Sequence, residues 1–115
     1  MKLARTLALL AALSVAPAFA DCAAPEAAVQ IPNGSEATRD EMIAAQKAVK
    51  AYDMAVAAYS TCMEQEQHTK AVVGVDAARL SDEYSRRTEA AVDKLQKLAD
   101  RFNTELRTFK ARNTG

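Results

Sequence analysis

Residues 42–63, MIAAQKAVKAYDMAVAAYSTCM, decide the fold. Within them Met42, Ala45, Val49, Tyr52, Val56, Tyr59 and Met63 recur at alternating steps of three and four. That spacing puts all seven on one face of an α-helix and, when sustained, makes a coiled-coil seam. Ile43, Ala55 and Cys62 are expected to lie beside the stripe and widen it. The stripe fails at Glu66, where Gln65, Gln67 and His68 make the next turn polar. Upstream, Thr38-Arg39-Asp40-Glu41 reads as a T-x-x-E capping box, in which hydroxyl and carboxylate each satisfy a free backbone amide. Asp40 and Glu41 also suit the positive end of the helix dipole. A first helix over about 38–70 follows.

The helix is expected to end or bend between Lys70 and Asp76, with Gly74 the weakest point and the neighbouring Val72, Val73 and Val75 able to pack. A second stripe then runs Tyr84, Thr88, Ala91, Leu95, Leu98, Phe102 and Phe109, flanked by Val92 and Leu106 and broken at Glu105. Asp82/Arg86, Glu83/Arg87 and Asp93/Lys97 are acid-first pairs four apart, each worth about 0.3–0.5 kcal/mol on a helix surface. Arg107, Lys110 and Arg112 place positive charge at the carbonyl end. The second helix is predicted over about 76–112. Two long helices with a short link make an all-α antiparallel hairpin, so residues 38–115 are read as one coiled-coil-like unit.

Residues 21–37 contain Pro25, Pro32, Asn33 and Gly34. Proline withholds backbone donors and Asn-Gly favours a turn, so this segment reads as an extended Pro/Ala-rich arm. Cys22 and Cys62 are the two cysteines of the chain. In an oxidising compartment such a pair most often bonds, and a Cys22–Cys62 disulfide is expected. The rivals are lipid attachment at Cys22, for which Asp21 is a poor preceding residue, and an intermolecular bridge. Geometry allows the intrachain bond: the 24 residues from Thr38 to Cys62 span roughly 36 Å as helix, and an arm of 16 residues reaches about 50 Å. The arm would then run back along the hairpin, with Ala23, Pro25, Ala27, Ala28, Val29 and Ile31 covering part of the apolar groove.

Cys22-x-x-Pro25, Ile31-Pro32-Asn33-Gly34, Tyr59-x-x-Cys62 and Phe102-Asn103-x-x-Leu106-Arg107-x-Phe109-Lys110 together resemble a group of small secreted proteobacterial helical proteins with an N-terminal Cys-x-x-Pro arm. The resemblance spans most of the chain after residue 20 and implies no activity. It implies that the arm, the cysteine pair and the Phe-Asn segment belong together, with Asn103 a candidate hydrogen-bond partner of the arm or a solvent-facing helical residue.

The first twenty residues have the three-part layout of a secretory signal peptide. Lys2 and Arg5 precede an apolar run from Thr6 to Pro17, and Ala18-Phe19-Ala20 supplies small residues at the cleavage site. The run is too short to span a bilayer, which takes roughly 20 residues. The working chain is expected to begin at Asp21 and to act in the periplasm or outside the cell. Without Lys2 and Arg5, 13 basic residues face 15 acidic ones, a net charge of −2. That excludes the strong basic footprint of a nucleic-acid binder. The charge is uneven: residues 21–78 carry 9 acidic and 4 basic side chains, residues 79–115 carry 6 and 9.

The chemistry-bearing residues do not assemble into a catalyst. There is one histidine and no Gly-rich loop, and both cysteines are expected to be oxidised, so no nucleophile–base pair presents itself. Cys62, Met63 and His68 would suit copper by type, yet Cys62 and His68 point about 120° apart on a helix and Met63 is on the core stripe. No haem motif is present. The chain is therefore read as a non-enzyme without metal or cofactor and without a membrane role. Its expected work is protein–protein interaction or structural support, with an unidentified protein or a second copy as partner. The expected face comprises Val49, Tyr52, Val56, Tyr59, Leu95, Leu98, Phe102, Asn103, Leu106 and Phe109. The alternatives are a chaperone-like, stress-related holdase and a small-ligand or metal carrier acting as a dimer.

Overall fold

The computed structural model describes residues 22–26, 29–74 and 76–113. The signal-peptide reading of residues 1–20, and the placements of Ala27, Ala28 and Val75, lie outside the described residues. Two helices, α1 (Arg39–Val72) and α2 (Ala77–Asn113), pack against each other, with no strand among the described residues.

Thr38 caps α1 as its sequence requires. Its backbone is extended (φ −78°, ψ 162°), its hydroxyl accepts from Glu41 N at 3.2 Å, and Glu41 Oε2 accepts from Thr38 N at 2.9 Å. At the far end Gly74 adopts φ +87° and donates to Ala71 O. This left-handed conformation suits glycine and stops the helix. Asp76 starts α2, its carboxylate accepting from Arg79 N at 3.4 Å. The break thus falls between Val73 and Asp76, inside the expected window. Val72 and Val73 are exposed and do not pack.

The stripes meet in two clusters. Toward the turn, Tyr52, Val56, Tyr59 and Met63 pack with Leu80, Tyr84 and Ala91; Met63, 1% exposed, is the most buried large side chain. Toward the open end, Met42, Ala45 and Phe102 pack with Ile31 and Ala37, which come from the arm. Val29 and Leu98 touch both clusters and make them continuous. The arm therefore supplies core, as a hairpin of two helices needs, because two helices alone bury too little apolar surface.

Three local expectations are corrected. Ile43 does not widen the stripe: it is exposed, 38% accessible, because nine residues before Tyr52 is half a turn out of phase at 100° per residue. Asp82 and Arg86 form no ion pair; Arg86 Nε donates to the Asp82 carbonyl at 3.3 Å instead. Leu80, outside the expected stripe, is buried. Glu83–Arg87 and Asp93–Lys97 are paired as expected.

Candidate functional site

The feature that distinguishes this hairpin is a strap. The arm lies along one side of the groove between α1 and α2 and is fastened at both ends. At the turn end Cys22 and Cys62 form a disulfide, with Cα atoms 5.8 Å apart. At the open end residues 33–37 fold into a tight turn. Asn33 O accepts from Glu36 N (3.1 Å) and Ala37 N (2.8 Å), while Asn33 Oδ1 accepts from Ser35 N (3.0 Å) and Ser35 Oγ (2.7 Å). That turn presents Gly34 N to Glu105, whose Oε2 accepts it at 2.7 Å, and Ala37 O to Arg112, whose Nη2 donates at 2.5 Å.

The stripe-breaking Glu105 is thus an anchor, a half-buried carboxylate placed where an arm amide needs an acceptor. Gly34 is buried and lies hard against α2: a Cβ built on it would fall 1.9 Å from Glu105 O and 3.0 Å from Phe109 N. Asn103 is exposed and makes no hydrogen bond to the arm. Two residues apart is about 200° on a helix, so Asn103 and Glu105 face nearly opposite ways. The Ile31–Gly34 segment and the Phe102–Phe109 segment do meet, through Ile31 on Phe102 and Gly34 on Glu105 and Phe109.

The strap divides the hairpin into two unlike faces. On the strapped side, Gln30, Ile31 and Pro32 lie over Glu41, Ala44, Ala45 and Ala48 of α1. Farther along, Ala24 and Pro25 border an open groove of about 320 Å³ between exposed Arg87, Ala90 and Lys94, floored by the buried Tyr52, Tyr59 and Ala91. The opposite side is uncovered. There a polar hollow lined by Met63, Glu64, Gln67, Tyr84, Ser85, Thr88 and Glu89 opens near the turn. Helical phase carries that side onward through Val92, Ala99 and Leu106, seven apart, and through Val49 of α1. All four are half-buried with the strap elsewhere.

Of the expected interaction face, Tyr52, Val56, Tyr59 and Phe102 are buried in the hairpin itself. Val49, Leu95, Leu98, Leu106 and Phe109 are all half-buried and packed against the core, Phe109 beside the strap anchor.

Electrostatics concentrate at the turn end. Glu66 lies 2.9 Å from Lys70 Nζ, and this bond first, then the charge of Lys70 with lesser help from the Tyr84 hydroxyl and the Cys22 amide, holds its carboxyl below the usual range against the opposing effect of burial. Lys70 is raised, first by the Tyr84 hydroxyl and then by Glu66. Tyr84 Oη itself is buried without a hydrogen bond of ordinary geometry, so it acts on Lys70 as a nearby dipole. The ring of Tyr84 has Lys70 Nζ at 5.5 Å and Arg87 Cζ at 5.9 Å from its centroid. Tyr52 Oη is also buried without a partner. No group of three or more potential metal ligands occurs among the described residues, and no described helix is long and apolar enough to cross a membrane.

No protein-family model, curated protein or solved structure matches this chain.

Proposed function

We propose that this is an exported helical module of the small Cys-x-x-Pro type that works by protein–protein contact, through the hairpin face opposite the strap, and that its simplest occupant is a second copy. One observation carries the reading. The arm covers one face only and leaves the row Val49, Val92, Ala99 and Leu106 half-open on the other. Domains bury apolar surface between two layers. Here the arm is the second layer on one side, and the other side has none.

Charge supports self-association over a random partner. The half of the chain holding α1 has 9 acidic and 4 basic side chains, and the half holding α2 has 6 and 9. A two-fold axis running along the helices lays α1 of one copy over α2 of the other. That arrangement opposes unlike charge and closes a four-helix bundle. The disulfide and the absence of a membrane-crossing helix among the described residues are compatible with export.

The test is molar mass by light scattering on the chain from Asp21 onward, oxidised and reduced. The wild type is expected at twice the chain mass in both states. Ala99→Glu, at a half-open position, is expected to give a monomer of unchanged helix content. A wild-type monomer at the highest soluble concentration refutes self-association through this face.

A further inference from the structure

We propose that Asn33-Gly34, at the open end of the strap, is a self-modification site: a deamidating pair that seating on α2 holds closed and lifting of the arm opens. The reaction needs only these two residues and water. Gly34 N attacks Asn33 Cγ, the bond from Cγ to the side-chain nitrogen breaks, and ammonia leaves with the Gly34 amide proton. The product is a five-membered succinimide. Water then adds to one of its two carbonyls, giving aspartate or, where the main-chain bond breaks, isoaspartate. Gly34 has no Cβ to obstruct ring closure. Asn33 is exposed, so ammonia can depart and water can enter.

In the seated turn both reacting groups are held elsewhere. The nucleophile is the Gly34 amide, whose N–H donates to Glu105 Oε2 at 2.7 Å, and Gly34 itself is buried. The electrophile is the Asn33 side-chain amide, whose Oδ1 accepts from Ser35 N at 3.0 Å and Ser35 Oγ at 2.7 Å. The Asn33 main-chain carbonyl is fixed as well, accepting from Glu36 N and Ala37 N. Ring closure must swing the Asn33 side chain onto Gly34 N, at the expense of the Ser35 bonds. It must also strip that nitrogen of its proton, and a negative carboxylate beside it disfavours a second negative charge. Modification therefore proceeds from the lifted turn, at a rate that follows the population of that open state. The two products differ on closing. Aspartate keeps an oxygen for both Ser35 donors and reseats. Isoaspartate inserts a methylene into the main chain just before Gly34, where one added Cβ on the glycine would already fall 1.9 Å from Glu105 O. It cannot reseat, so a transient lifting of the strap becomes a permanent one.

The test incubates the oxidised chain from Asp21 onward in mildly alkaline buffer and follows the amide-to-acid mass gain of the peptide carrying Asn33. Isoaspartyl methyltransferase marks the isoaspartyl share, and the same chain unfolded in urea gives the unguarded rate. The folded wild type should react several-fold more slowly than the unfolded chain. Glu105→Ala should speed the folded chain roughly tenfold, the change in open population when about 1.4 kcal/mol of closure is lost. Glu105→Gln, which keeps the shape and a weaker acceptor, should speed it by a smaller factor. Ala99→Glu on the opposite face should leave the rate unchanged. In hydrogen exchange, protein aged to high isoaspartyl content should expose the Gly34 and Ala37 amides, whereas Asn33→Asp should protect them as the wild type does. Should Glu105→Ala lose helix content, Glu105→Gln decides the matter. A folded rate equal to the unfolded one overturns the proposal. So does a Glu105→Gln rate at or below that of the wild type, or an equal rise with Ala99→Glu. Equal exchange in the aged protein and Asn33→Asp overturns the locking step. The partner-face reading stands or falls separately, on molar mass.

Discussion

Replacing Gly34 with alanine should be among the most damaging single-methyl additions this chain can suffer. The new Cβ would lie 1.9 Å from Glu105 O, 2.8 Å from Glu105 C and 3.0 Å from Phe109 N. These are backbone atoms of a continuous helix and cannot rotate away. Relief requires the turn to back off by roughly 1 Å, and the 2.7 Å bond from Gly34 N to Glu105 Oε2 then passes out of range. A hydrogen bond to a charged acceptor contributes about 1.5–3 kcal/mol. Lifting the turn also loosens Ile31 from Phe102, forfeiting part of the ~1.5–3 kcal/mol that burying such a side chain provides. The expected loss is about 2–4 kcal/mol, read from urea unfolding of the oxidised protein followed by circular dichroism. Gly74→Ala is the matched control. Its Cβ meets nothing within 4 Å, but φ is +87°, so it should lose only the left-handed strain of about 1 kcal/mol. Equal effects at the two glycines, or a Gly34→Ala loss under about 0.5 kcal/mol, would mean that the arm is not seated on α2.

The other two predictions concern the turn end. Cys22→Ser should destabilise the oxidised protein by up to about 4 kcal/mol, the loop-entropy value for a bridge spanning 40 residues. It should leave the reduced protein nearly unchanged; equal losses in both states in a melting experiment would refute a stabilising bridge. Because the Glu66 carboxyl is lowered in the folded chain, its contribution is present above the unfolded value of 4.5 and is lost as pH falls through the folded value. Melting temperature against pH should therefore drop less steeply below about pH 4.5 in Glu66→Gln than in the wild type, and parallel curves would deny Glu66 that role.

The hairpin was legible because helical periodicity is a local, redundant signal. Seven stripe positions, a capping box and one badly placed glycine all point the same way. Adjacency in sequence is not adjacency in space on a helix. Ile43 follows Met42 in the chain but is 100° away on the helix, and the stripe tolerates no more than about half that. Leu80 is hard to read because Ala77, Ala78 and Arg79 before it offer no periodic support; its spacing of four from Tyr84 is the one signal that marks it as core.

The strap was a different kind of problem. An extended segment has no period, so chain length says only that the arm can reach Cys62, not which of its residues meets which helix position. Its register is set at the open end by Glu105 and Gly34. The glutamate reads in sequence only as a break in the apolar stripe and the glycine only as a turn former, yet the carboxylate accepts from the arm and the close approach needs a missing side chain. Together they position the turn on α2.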